Sequence, residues 1–298
     1  MLASWSIATR IYVGFAIVLA LLSGLAIFTF TSMTSVTALF ADYRSTARGS
    51  LAINEMNEDL YKARLAAMQW RLSPSEDSAA AVDRMTSEML ADIDRAEERF
   101  SGERLAKVRA GREQVAAYDA AFRRAATLQA RRDGEVDQLI ATGEEIRATI
   151  SEVMVSAYND NDADAVYFGG RALESLVLGR YFALRFLLQN DAESYEAGVE
   201  RIGDATAGLR ALLPKLQSPA RRELTTEAIA LSDRYLDEFA KVRETILARN
   251  DVLDNTLDRV GPELAASYGG VLTAMVNRQN ELGPLAAQQI DGTKTTAT

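Results

Sequence analysis

The chain contains no cysteine and no histidine in 298 residues. Without cysteine there is no disulfide, no thiolate nucleophile and no thiolate-bound zinc. Without histidine the usual general base, the Ser-His-Asp triad and most transition-metal sites are excluded. A carboxylate-bridged di-iron bundle also needs Glu-x-x-His motifs and is excluded with them. Proline occurs only at positions 74, 214, 219, 262 and 284, and aromatic residues make up only 7%. Basic residues are outnumbered, with 33 Lys and Arg against 42 Asp and Glu and a formal net charge of −9. That balance argues against a nucleic-acid partner. What is present is 48% hydrophobic residues, too many for global disorder. A carboxylate or lysine enzyme, a binding module or a structural protein remains, in one to three domains.

Residues 11–30, IYVGFAIVLALLSGLAIFTF, carry no charge. As a helix they reach about 30 Å, enough to cross a bilayer and contact membrane lipid. A signal peptide is the competing reading, but its apolar core is normally about 7–15 residues. The run here is longer, and Ser35-Val36-Thr37-Ala38 is a poor cleavage site. Arg10 is the only charged side chain before residue 31, so residues 1–10 are expected on the cytoplasmic side and the bulk of the chain on the other. Ala16, Ala20 and Gly24 form a small-residue stripe that allows close helix packing, or are ordinary constituents of an apolar span.

The rest reads as all-α. Ile53, Met56, Leu60, Ala63, Ala67 and Trp70 step by three and four, as do Val136, Leu139, Gly143, Ile146, Ile150 and Val153. This is the seam of a helical bundle. Breaks fall at Ser73-Pro74-Ser75-Glu76-Asp77, Ser101-Gly102, Asn159-Asp160-Asn161-Asp162, Asn190-Asp191 and from Pro214 to Pro219. Six helices are expected after the anchor, over 31–72, 75–100, 103–158, 161–189, 192–214 and 219–290. Their lengths, roughly 63, 39, 84, 43, 35 and 108 Å, suit two stacked four-helix bundles that share the long third and sixth helices. A kink is expected at Gly261-Pro262. After Pro284 the chain is polar, and 291–298 reads as a tail leading to a second span beyond Thr298, with a tail and no further domain as the alternative.

Two stretches resemble a known family. They are Asn57-Glu58-Asp59-Leu60-Tyr61-Lys62-Ala63-Arg64-Leu65 and Leu178-Gly179-Arg180-Tyr181-Phe182-Ala183-Leu184-Arg185-Phe186-Leu187. With the anchor and the six-helix layout, they are similar to the helical bimodular ligand-binding domain of bacterial methyl-accepting chemotaxis receptors. Some sensor histidine kinases carry a similar domain. The resemblance implies a periplasmic sensor over residues 31–290 that binds a small organic acid between helices, signals across the inner membrane and works as a homodimer. It implies no enzyme and no cofactor.

A carboxylate calls for arginine, whose planar fork matches it. Arg64 flanks the Ala63 seam position and looks like the arginine of the family's Ala-Arg-Leu stretch. Tyr61 lies one turn away, a hydroxyl donor where a second arginine would suit a doubly charged ligand. By helix rise, Arg64 is level with Tyr118 to Arg124 on the third helix and with Asn250 to Asn255 on the sixth. Tyr118, Arg123, Asn250 and Asn255 are therefore candidate ligand contacts. Arg180 resembles a fourth-helix arginine of the family and, with Tyr181, is a second candidate pair. An internal salt bridge competes for Arg180, and snorkelling toward an acid competes for Arg64.

Asp160-Asn161-Asp162-Ala163-Asp164 opens like a calcium loop but has Ala165 and Arg171 where that loop needs Gly and Glu, so helix capping is expected instead. Arg44 with Arg48 and Arg131 with Arg132 read as solvated pairs. The rivals to a chemotaxis sensor are a histidine-kinase ectodomain and a non-sensing helical spacer or adaptor.

Overall fold

The computed structural model describes residues 7–98, 100 and 102–297. Residues 1–6 of the expected cytoplasmic segment, Ser101 of the expected Ser101-Gly102 break and Thr298 of the tail lie outside the described residues. Within them the chain is all-helical, with no strand. The helices are α1 (Ile7–Leu72), α2 (Glu76–Glu97), α3 (Gly102–Asn159), α4 (Ala163–Gln189), α5 (Ala192–Leu212), α6 (Pro219–Val252) and α7 (Asp258–Ala297). A 3-10 turn, Leu213–Lys215, precedes α6, and a π-helical turn, Leu253–Leu257, joins α6 to α7.

Two boundaries differ from those expected. The apolar segment and the first bundle helix are one unbroken helix of 66 residues, because nothing between Phe30 and Leu72 is a proline or a cap. This is the one described helix long and apolar enough to span a membrane. In and just after the apolar segment, the Thr29, Thr31 and Thr34 hydroxyls donate to carbonyls one turn back. That suits apolar surroundings, where a free hydroxyl is costly. The expected sixth helix is α6 and α7 with the π turn between them. Pro262 has no N–H for the carbonyl four residues earlier and its ring crowds that carbonyl. The helix accommodates this upstream in the π turn, and α7 runs on through Pro262 and Pro284.

Side-chain caps set the other ends. Ser75, Asp162 and Asp191 accept from the backbone N–H groups of Ser78, Ala165 and Ser194. Ser218 caps α6, with Pro219 in its first position. Asn190 ends α4 in the left-handed region at φ 56°, a place asparagine tolerates.

The chain divides into two compact units. Unit 1 comprises Met1–Asp119 and Val260–Thr298. Its core draws Ile53, Met56 and Leu60 from α1, Met89 and Ile93 from α2, Val115 from α3, and Leu264, Tyr268 and Met275 from α7. Unit 2 is Ala120–Arg259. Its core draws Leu139, Ile146 and Ile150 from α3, Leu176 and Phe186 from α4, Ile202 and Leu209 from α5, and Tyr235 and Phe239 from α6. Both units are therefore built from four helical segments, two of them contributed by the long α3 and α6–α7 stretches.

Helix α4 is apolar on more than one side. Ala165, Gly169, Ala172, Leu176, Gly179, Ala183 and Phe186 form its buried seam. A second seam, with Tyr167, Val177, Tyr181, Leu184 and Leu188, is exposed, Leu188 by 85%.

Candidate functional site

Arg64 leaves α1 beside the buried Ala63 and lies across the backbone of Gly261 on α7. A methyl group on Gly261 would stand 3.1 Å from Arg64 Nε, 3.2 Å from its Cδ and 3.4 Å from Tyr118 Cε2. Gly261 is buried, and Tyr118 is buried beside it. The absent Cβ thus makes a seat for the arginine, with the tyrosine ring as its side wall. Arg64 itself is exposed and has no hydrogen-bond or ion-pair partner among the described residues. Such a guanidinium, held along its stem and open at its head, can take a carboxylate.

Unit 2 contains a second seat of the same make. Arg180 on α4 crosses the buried Gly143 on α3, next to the buried Tyr235 on α6. A methyl group on Gly143 would stand 3.1 Å from Arg180 Nε, 3.3 Å from its Cδ and 3.1 Å from Tyr235 Cε2. Burial pushes the Tyr235 hydroxyl up to about 12, with the nearby Arg180 acting against the rise. Here the guanidinium is occupied, as Arg180 Nη2 donates to Glu144 Oε1 at 2.5 Å. The other oxygen, Glu144 Oε2, accepts from Arg147 Nε at 2.8 Å. Those hydrogen bonds, Arg147's first and Arg180's second, hold the Glu144 carboxyl below the usual carboxylate range. The internal ion pair that competed for Arg180 in the sequence is present.

The remaining sequence candidates are placed as follows. Tyr61 and Tyr181 are exposed, at 67% and 57%. Arg123 is exposed on α3 and belongs to unit 2. Asn250 donates to Asn190 Oδ1 at 3.1 Å and accepts from Arg249, while Asn255 donates to Asp251. Both asparagines lie in unit 2 and are hydrogen-bonded there. The α6–α7 residue that meets Arg64 is Gly261, beyond the expected stretch of Asn250 to Asn255. Uniform helix rise put Tyr118 of α3 level with Arg64, and both approach Gly261, but it had no means of fixing the level at which α6 starts, nor of including the π turn.

Sequence reasoning missed Gly143, Glu144, Tyr235 and Gly261. The available signal was Gly143 itself, a glycine at a seam position where a bundle core wants a large apolar residue. The calcium-like run is a cap and an ion-pair acceptor, for Asp160 and Asp162 both bind Arg221. No cluster of metal-binding side chains occurs among the described residues. Comparison with protein-family models and with curated proteins gives no match.

Proposed function

We propose that the chain is the ligand-sensing portion of a membrane-anchored chemotaxis transducer, with its bulk in the periplasm, and that it binds a small organic acid in unit 1. The observation that carries this reading is Arg64, seated on Gly261 beside Tyr118 with its guanidinium unpartnered among the described residues. The unbroken α1 supports the signalling half, since the apolar segment and Arg64 share one helix. In this reading each unit is a four-helix bundle that draws two of its helical segments from the long α3 and α6–α7 stretches, and the exposed apolar seam of α4 is covered by a second copy. Ligand binding moves helices by about 1–2 Å, the scale of known transmitted helix shifts.

The test is a thermal-unfolding screen of the full 298-residue chain in nanodiscs against mono-, di- and tricarboxylates. A bound acid at a hundredfold excess over its Kd adds about 2.7 kcal/mol. For a unit of this size that is a rise of roughly 5–10 °C. One or more acids should give such a rise, and Arg64→Ala should remove it. No response to any acid, or a full response in Arg64→Ala, would show the reading to be wrong.

A further inference from the structure

We infer that Glu144 is a tethered carboxylate that closes the Arg180 seat, so that the chain offers external acids one open arginine seat and not two. This rests on reading the Arg64 seat as an acid site. The two seats match within a few tenths of an ångström in how arginine and tyrosine approach the glycine. What separates them is the next residue in the chain. Gly143 is followed by Glu144, whereas Gly261 is followed by Pro262. Both following residues are exposed at the edge of the seat. A glutamate there reaches the guanidinium above its own helix. A proline offers no acceptor in its side chain.

The closure is more than a passing surface pair. Both Glu144 oxygens are engaged, one by Arg180 and one by Arg147. The glutamate is fixed to the helix that forms the seat, so its effective concentration at Arg180 is on the order of millimolar or above. A free acid at micromolar levels cannot displace it. The space beside Arg180, bounded by Ile140, Leu184, Leu187 and Tyr235, is about 40 Å³. That holds a water molecule or two, or at most a carboxylate of one or two carbons, and no larger organic acid. Glu144 therefore does for Arg180 what a bound acid does for Arg64 on the proposed reading.

Titration calorimetry on the full chain in nanodiscs tests this, with formate and acetate as probes because the space beside Arg180 admits only the smallest carboxylates. The Arg64→Ala chain should bind neither probe. Arg64→Ala with Glu144→Gln should bind one probe molecule per chain, and adding Arg180→Ala should abolish that binding. Two results overturn the inference: binding by Arg64→Ala alone that Arg180→Ala removes, or no binding by the Glu144→Gln double variant. The outcome stands apart from the unit 1 reading. That reading fails when the unaltered chain binds no acid, whereas the gain on Glu144→Gln is scored with Arg64 already removed.

Discussion

Arg221 and Asp160 are joined by a 2.5 Å ion pair in which the arginine is buried, its side chain 5% exposed, and the aspartate is open to solvent at 62%. Arg221 also donates to the Ser156 carbonyl and reaches Asp162, so one side chain fastens the start of α6 to the α3–α4 turn. The asymmetry of burial decides which partner matters. Arg221→Ala should cost about 1.5–3 kcal/mol, the range for hydrogen bonds to charged groups. Asp160→Asn leaves the arginine its other acceptors and should cost less than about 1 kcal/mol. Denaturant unfolding of the two variants compares them, and equal losses would contradict the assignment.

Gly261→Ala separates the seat from the charge. Helix propensity favours alanine by up to about 1 kcal/mol. Against that, the new methyl meets Arg64 and Tyr118 at 3.1–3.4 Å, so the arginine has to move by a few tenths of an ångström. Stability should stay within about 1 kcal/mol of the parent, while acid affinity falls about tenfold or more through one lost charge-assisted hydrogen bond. Calorimetry alongside thermal unfolding reads both. A variant that binds as well as the parent would exclude Gly261 as the seat.

Tyr268 Oη is buried in unit 1 without a hydrogen-bond partner among the described residues. Burial also raises its ionisation well above the usual tyrosine range. Removing an unsatisfied hydroxyl removes a desolvation cost, so Tyr268→Phe should leave stability unchanged or raise it by up to about 1 kcal/mol. A melting temperature several degrees lower would mean that the hydroxyl has a partner in solution.

Asp191 caps α5, accepting from the Ser194 backbone N–H at 2.8 Å and from its hydroxyl at 2.8 Å. The backbone bond first, then the hydroxyl bond, hold its carboxyl below the ordinary aspartate value. A lowered folded value means that the cap's stabilisation is present above the unfolded value and is lost as pH falls through the folded one. Protection of the Ser194 amide, measured against its intrinsic exchange rate, should therefore weaken as pH falls below the usual aspartate range. Asp191→Asn should flatten that dependence.

The exposed seam of α4 predicts self-association. Val177→Glu with Leu188→Glu changes two side chains that are 51% and 85% exposed, so folding should survive. Sedimentation of the parent should give a dimer and the double variant a monomer. A monomeric parent at micromolar concentration would sink the idea.

The bundle cores were legible because burial at steps of three and four is written directly in side-chain size. Ile53, Met56, Leu60, Ala63 and Trp70 are buried as that period requires. Only Ala67 slips, with Ala66 taking the inner place. The caps at Ser75, Asp162 and Asp191 were legible for an equally local reason. The seats were half legible. Arg64, Tyr118 and Arg180 announce themselves by charge or ring. Gly143 and Gly261 contribute only a missing Cβ, which in sequence looks like a weakness in the helix. The π turn left no signal beyond Pro262 downstream of it.

The 66 residues of α1 contain no proline and no cap, and they extend about 100 Å. Such a rod has no joint in which a displacement can be absorbed. On the proposed reading, a small axial slide or twist imposed where Arg64 meets Gly261 is carried along this one continuous helix toward Ile11. On the opposite side of that contact, α7 begins directly after a π turn, a place where a helix can gain or lose a residue of register. On the proposed reading, the unbroken α1 is the side of the contact that carries the displacement and the π turn is the side that can yield.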